Sequence, residues 1–294
     1  MATLPALTVA TVAREPLPVL TRFVRWHLAQ GAGRIVIFLD DPDDPAQRAL
    51  AGDPRLDLRP CTADLWTKMG VQPDARFTRR QRAAMTAAYR EVRSGWVMIL
   101  DADELMWTRD RRLPEALAGL PDDVPTLRIH SAEEVGLASG GAAFRMPVPR
   151  KTVDDIYGAD APLFRPRFGL VGHPEGKSIH RAGQHDIRLK LHWAVTEDGS
   201  KVEGPVWGAA ERAYLLHYFA PGYDRWRAKM DWRAGAHGFA DPLKARLAEI
   251  AALEDPEAGY RALYHRLHGL NAAEEAALEA AGGLLRDHPP LPGG

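Results

Sequence analysis

Trp96-Val97-Met98-Ile99-Leu100-Asp101-Ala102-Asp103-Glu104 is five apolar residues followed by three acids in four positions. A continuous apolar run bounded by turn-forming residues is the pattern of a strand buried on both faces, and Gly95 marks where it begins. Where it emerges, Asp101 and Asp103 stand two residues apart. Such hard oxygen ligands suit Mg2+ or Mn2+, ions commonly held by one or two carboxylates with substrate phosphates completing the shell. The same residues also suit a plain acid-capped turn at a strand end, because Asp favours turns and helix starts.

Working outward, Phe77, Gln81, Ala84, Met85, Ala88, Tyr89 and Val92 recur at helical spacing just upstream. Before them lie a loop at Asp64–Arg76, a strand at Leu56–Pro60 and a short helix near Ala46–Leu50. Arg34–Leu39 (RIVIFL) is a second run, continuously apolar after its arginine, ending at Asp40-Asp41-Pro42. Leu7–Val12 is a β-branched strand, and Leu17, Leu20, Val24, His27 and Leu28 form a helix that Gly31 and Gly33 stop. Strands alternating with helices predict an α/β fold, a mostly parallel sheet with helices on both faces. Its ligand crevice lies at the carboxyl ends of the strands, where Asp40, Asp41, Asp101 and Asp103 fall.

Downstream, Thr126–His130 reads as a strand, and the stretch to His192 is mixed and Gly-rich. Helical periodicity returns in Trp226, Met230 and Arg233, in Leu243, Leu247 and Ile250, and in Tyr260, Leu263, Tyr264 and Leu267. The expected organisation is a sheet domain over 1–220, a C-terminal helical region over 221–286 and a flexible Pro/Gly-rich tail over 287–294. With a formal net charge of -1 the chain lacks a global field for nucleic acid, and Arg79-Arg80-Gln81-Arg82 is too small to be a basic stripe. No nucleic-acid partner is expected. Its single cysteine, Cys61, and an N-terminus without a secretory pattern predict a reducing, cytoplasmic setting. The apolar runs are far shorter than the roughly 20 residues of a transmembrane helix, which leaves peripheral membrane contact open. No Gly-rich phosphate loop follows the first strand, against ATP- or NAD-dependent chemistry.

Several segments together resemble family 2-type glycosyltransferases over about the first 230 residues. They are the opening strand with Arg14-Glu15, the Phe23–Leu28 helix, Gly33–Asp41, Gln81-Arg82 through Tyr89, and Trp96–Glu104. Gly176-Lys177-Ser178-Ile179 and Leu216-His217-Tyr218-Phe219 with Lys229 are weaker matches. The resemblance implies a GT-A (nucleotide-diphospho-sugar transferase) fold, a nucleotide-diphosphate sugar donor, and an inverting transfer to a glycan, lipid or protein acceptor. It also implies Mn2+ or Mg2+ bridging Asp103 to the diphosphate. Asp101 would then orient the ribose or the metal shell, Asp40 or Asp41 would face the nucleoside, and His217 would be a further metal ligand. Arg14, Arg82 and Lys177 are candidates for the diphosphate, since guanidinium and ammonium groups pair strongly with phosphate oxygens. The acceptor hydroxyl needs a base. Glu133 and Glu134, after a predicted strand, are the candidates, with Glu104 and the Asp154-Asp155 pair as further carboxylates. Trp193, Trp207 and Tyr157 are candidates for a sugar-stacking platform.

Two other readings stand beside this one. An apolar strand ending in Asp-x-Asp also opens haloacid-dehalogenase-like phosphotransferases and phosphatases, with Asp101 as nucleophile. That nucleophile belongs on a first strand, whereas at least three strands precede Asp101. A non-catalytic nucleotide-sugar-binding module of the same fold is the second alternative.

Overall fold

The computed structural model describes residues 4–219, 222–233 and 240–290, with the side chains of 231–233 excepted. Four of the expected tail residues, 291–294, and the side chain of Arg233 lie outside the described set. In chain order come β1 (Leu7–Ala13), α1 (Leu17–Ala29), β2 (Arg34–Leu39), α2 (Ala46–Ala49), β3 (Leu56–Pro60), α3 (Ala63–Lys68) and α4 (Phe77–Glu91). Next are β4 (Trp96–Ile99), β5 (Glu104–Thr108), α5 (Leu113–Leu117), β6 (Thr126–Ile129), β7 (Ser131–Gly136), β8 (Ala142–Arg145), α6 (Arg150–Tyr157) and α7 (Ala161–Phe164). Five strands follow: β9 (Lys177–Arg181), β10 (Ile187–Leu189), β11 (Ala194–Thr196), β12 (Val206–Trp207) and β13 (Ala213–His217). The chain closes with α8 (Tyr223–Arg233), α9 (Asp241–Ala251), α10 (Pro256–His268), α11 (Ala272–Ala280) and β14 (Leu284–Leu285).

These elements gather into two compact units. Of the described residues, the first takes those of 4–130 and 175–215 with Pro290, and the second those of 131–174 and 216–289. The division therefore differs from a single cut at residue 220. Segment 131–174 joins the C-terminal helices because α6 packs on α11, α7 on α9 and β7 on α10. Val135, Val153, Phe164, Trp226, Leu263 and Leu267 share that one core.

In the first unit a seven-stranded sheet runs β12-β6-β9-β4-β1-β2-β3. β1 is parallel to β2 and β4, β2 is parallel to β3, and β9 is antiparallel to both β4 and β6. The central sheet is thus largely parallel and flanked by helices, as the alternating pattern predicts. β1 is buried at all seven positions, the burden of a central strand and the reason for its β-branched composition. Ala84, Met85 and Ala88 of α4 cover Ala10, Val36, Val97 and Ile99 on one face, while α1 packs on β2 and β5. One difference lies in Asp64–Arg76, which contains α3 rather than only loop. The Thr62 hydroxyl accepts the Leu65 N–H at 3.3 Å as its cap, and Trp66 is buried.

The chain lays down β1, β2 and β3 in one direction and returns through α4 to place β4 on the other side of β1. The gap between β1 and β4 is therefore the sheet's topological switch point, where ligands of open α/β sheets bind at the strands' carboxyl ends. Gly95 makes the entry to β4. Its φ is +86°, and a Cβ there would stand 2.2 Å from the Ala6 carbonyl oxygen, which the Trp96 N–H reaches at 2.8 Å. At the carboxyl edge, the Leu100 N–H reaches Ala10 at 3.0 Å and the Asp40 N–H reaches Ala13 at 2.9 Å. Asp101, Asp40 and Arg14 therefore follow adjacent strands at one edge.

Candidate functional site

Asp101, Ala102 and Asp103 form the turn between β4 and β5. Both Asp101 carboxylate oxygens are engaged: Oδ1 accepts from Gln81 Nε2 at 2.5 Å and Oδ2 from Lys177 Nζ at 2.8 Å. Glu104 Oε2 accepts the Asp101 N–H at 2.8 Å and lies 3.2 Å from the same ammonium. Lys177 is buried at the start of β9, which brings it back antiparallel beside β4. Gly176 makes that approach sterically feasible: at φ +67°, its Cβ would be 1.8 Å from the Ile129 carbonyl oxygen. The Asp101 side chain is 41% exposed, whereas Asp103 is 7% exposed and Glu104 is buried. The Asp101 side chain therefore reaches solvent at the strand end, and the Asp103 side chain does not.

Burial alone would raise the Asp101 pKa. The charge and hydrogen bond of Lys177, with His192 and Gln81, outweigh it and hold the carboxyl well below its usual range. Burial likewise works against the Lys177 ammonium, but Asp101 and Glu104 reverse the shift and push its pKa up. For Glu104, burial together with the Asp101 and Asp103 charges outweighs Lys177 and raises its pKa to about 8. Two carboxyl groups, Asp101 and Glu104, thus meet one ammonium, and the Asp103 charge acts on Glu104 from beside them.

Asp40 is taken by a residue not singled out from the sequence. Arg80 donates to both of its carboxylate oxygens, at 2.8 and 2.7 Å, and its guanidinium lies 5.5 Å from the Trp66 ring centroid. Asp41 is exposed and accepts the Asp43 N–H at 2.9 Å, and Arg14 and Arg82 are exposed. Arg82 lies one residue past Gln81 on α4, a rotation of about 100° away from the buried face.

Glu133 and Glu134 belong to the second unit, as does His217. Glu133 is buried; its carboxylate accepts the Val171 N–H at 2.7 Å, the Gly172 N–H, and an Arg145 N–H at 3.2 Å. Burial opposes this ionised state, but Arg145, His217 and the two amides win and lower the Glu133 pKa. His217 lies against the same corner: a Cβ on Gly172 would be 2.5 Å from Glu133 Oε1 and 3.3 Å from His217 Nδ1. Glu134 is half-buried and lines a cavity of about 470 Å3 with Tyr264, His265 and His268. Of the platform aromatics, Tyr157 is buried and stacked on Phe164, and Trp193 lies under Lys201, whose Nζ is 5.0 Å from its centroid. Trp207 is half-buried and lines a cavity.

Gln81 and Arg80 had a signal in the sequence, being polar residues on or beside the apolar stripe of α4. His192 had none. Its Nδ1 donates to the Gly176 carbonyl at 2.8 Å, and its contribution to the Asp101 field depends on a loop that periodicity does not describe. Among the described residues no group of three or more His, Cys, Asp or Glu side chains is gathered as a metal would need. Nor, among them, is any helix long and apolar enough to cross a membrane.

What fold and site define together is an α/β protein with an acidic, lysine-clamped turn at the switch point of its sheet. No family model matches the chain, and no curated protein matches it. Among solved structures it is similar to the mannosyltransferase PcManGT from Pyrobaculum calidifontis in complex with GDP-Man and Mn2+. That similarity is 16% identity over 95% of this chain and 75% of the other, with a TM-score of 0.39.

Proposed function

We propose that the chain is a GT-A-type glycosyltransferase that takes a nucleotide-diphosphate sugar at the β1/β4 switch point and transfers the sugar, with inversion, to an acceptor hydroxyl. The observation that carries this reading is the Asp101-Ala102-Asp103 turn, placed at the carboxyl end of β4 with Asp101 clamped by Gln81 and Lys177. The donor set fits Mn2+ or Mg2+: one hard carboxylate, Asp103, would leave the remaining positions to phosphate and water. When bound, such an ion offsets the charge that develops on a departing diphosphate. Asp101 has both oxygens occupied by donors and is the positioning carboxylate, so Asp103 is the residue assigned to the ion. His217, beside Glu133, is read as a partner of that carboxylate. Three donors hold Glu133 ionised, which suits an organising group, so Glu134 keeps the role of base.

Arg80 holds Asp40 in a bidentate pair, and Asp41 next to it is left to face the nucleoside. The dehalogenase-like alternative asks Asp101 to attack phosphorus, but Gln81 and Lys177 already hold both of its oxygens. Calorimetric titration of the full chain with UDP, GDP and TDP, with and without Mn2+, tests the proposal. Metal-dependent binding of one nucleotide is expected, and its loss in Asp103→Asn would tie it to this turn. Binding of none, or binding indifferent to Asp103→Asn, would sink the reading.

A further inference from the structure

A second polar cavity lies in the first unit, beyond the far end of β5 from the Asp101 turn. It holds about 490 Å3 and is lined by Arg109, Asp110, Arg111, Trp207, Glu211 and Arg212 among others. From Glu104 to Thr108 the strand advances four residues, roughly 13 Å of extended chain, so the cavity is a separate place from the carboxylate turn.

Its charges are unevenly matched. Arg212 pairs with Asp110 at 3.1 Å, with both side chains about half exposed, and the Glu211 carboxylate accepts the Gly208 N–H at 2.9 Å within the turn. Among the described residues the Arg111 guanidinium has no ion-pair partner, and the half-buried Trp207 ring has no ring or cation stacked on it. The backbone adds an independent sign. Arg212 sits at φ +53°, closing a turn in which its N–H reaches Ala209 at 3.2 Å and the Ala213 N–H reaches Gly208 at 3.0 Å. Glycine occupies that left-handed region without strain, and a residue with a Cβ does not. Strained backbone of this kind clusters where a side chain has a use.

We propose that this cavity binds a sugar ring bearing an oxyanion, either a carboxylate or a phosphate, as part of the acceptor. The choice of a sugar rests on the glycosyl-transfer reading. The choice of an anion rests on the guanidiniums alone. Arg111 and Arg212 offer planar forks that match a carboxylate or phosphate bidentately, and the Trp207 face offers apolar surface to the C–H side of the ring.

The test is calorimetry on the full chain without nucleotide or metal, using methyl glucuronide, glucose 6-phosphate, methyl glucoside and inorganic phosphate as probes. One charged sugar is expected to bind at least about tenfold tighter than either the neutral glucoside or phosphate alone, and which one binds separates carboxylate from phosphate. Arg111→Ala and Trp207→Ala should each weaken it by roughly tenfold or more while leaving nucleotide binding unchanged. Arg212→Gly should weaken it too while Tm stays level or rises, because glycine relieves the left-handed backbone. Equal binding of the neutral glucoside, equal binding of bare phosphate, no effect of Trp207→Ala, or no binding of either charged sugar would each overturn the proposal. No nucleotide enters these titrations, so failure of the donor reading appears in the UDP, GDP and TDP experiment and failure of this one appears here.

Discussion

Lowering the pH from 7.5 to 5.0 should remove about 2 kcal/mol of stability through His27 alone. His27 is 1% exposed, its Nδ1 donates to the Phe23 carbonyl at 2.9 Å, and its Nε2 accepts the Met106 N–H at 3.3 Å. Trp26, the residue before it, donates to the Met106 carbonyl at 2.7 Å, so two successive helix residues grip both backbone groups of one residue in β5. A second proton would point an N–H at the Met106 N–H. Burial is the larger effect, opposed by the Phe23 hydrogen bond, and together they lower the pKa from 6.5 to about 3. The folded state therefore resists a proton that the unfolded chain accepts below about pH 6.5, so stability is complete above that pH and is lost as pH falls toward 3. At pH 5.0 the deficit spans about 1.5 pH units, each worth about 1.4 kcal/mol. Glu104, raised to about 8, works in the opposite direction over this window, because the folded state then binds its proton more readily than the unfolded state. The clean measurement is therefore a difference. Urea unfolding of wild type and His27→Gln at both pH values should show the gap between them narrowing by about 2 kcal/mol at pH 5.0. A gap that stays constant would refute the neutral, clamped imidazole.

Lys177→Met leaves Asp101 and Glu104 without their cation. Breaking a buried pair costs about 3–5 kcal/mol, and the exposure of Asp101 together with a protonatable Glu104 puts this case near 3, read by urea unfolding at pH 7.5. Nucleotide binding by the same variant should fall as well. Gly176→Ala collides with the Ile129 carbonyl in a left-handed conformation, so Tm should drop or soluble protein should be lost; a wild-type melt would contradict the geometry. His217→Ala should leave the Mn2+ titration of nucleotide binding unchanged, and a weakened titration would return His217 to the metal.

The parallel core was legible because β2 and β4 are largely apolar runs and β1 is rich in β-branched residues, while β3 alternates. Arg34–Leu39 and Leu56–Pro60 begin and end where Asp, Gly and Pro punctuate them. β4 was legible for the same reason, and with it the Asp101 turn. Lys177 was also visible, as the residue after a glycine in a matching segment, although its grip on Glu104 was not. α3 escaped because six residues held by one hydroxyl cap carry no periodicity. The second unit escaped because its architecture depends on register. Glu133 faces Arg145 only once β7 and β8 pair antiparallel, and nothing in residues 131–145 fixes that pairing beyond the Gly140-Gly141 turn. The cut at residue 220 followed the return of helical periodicity, whereas the contacts group two separated segments around one core.

The substitution of Arg80 and Gln81 for Arg82 at the site has a simpler cause. On α4 the buried positions are Gln81, Ala84, Met85, Ala88 and Tyr89, spaced three, one, three and one residues apart around one stripe. A polar side chain inside such a stripe must find a buried partner or destabilise the helix, and Gln81 finds it in Asp101. Arg80, one position earlier, lies on the stripe's flank, where its long stem reaches Asp40 while its guanidinium lies near the Trp66 and Phe77 rings. Arg82 falls on the other flank and stays exposed. Charge alone ranks the arginines of this helix equally, but helix phase does not. Phase makes α4 the arm that ties the carboxyl end of β2 to that of β4 through Asp40 and Asp101, so a change at Gln81 should disturb the Asp101 turn without touching any ligand. Gln81→Leu, similar in volume and unable to donate, should weaken nucleotide binding while Tm changes little. Nucleotide binding equal to wild type would mean that Lys177 alone sets the turn.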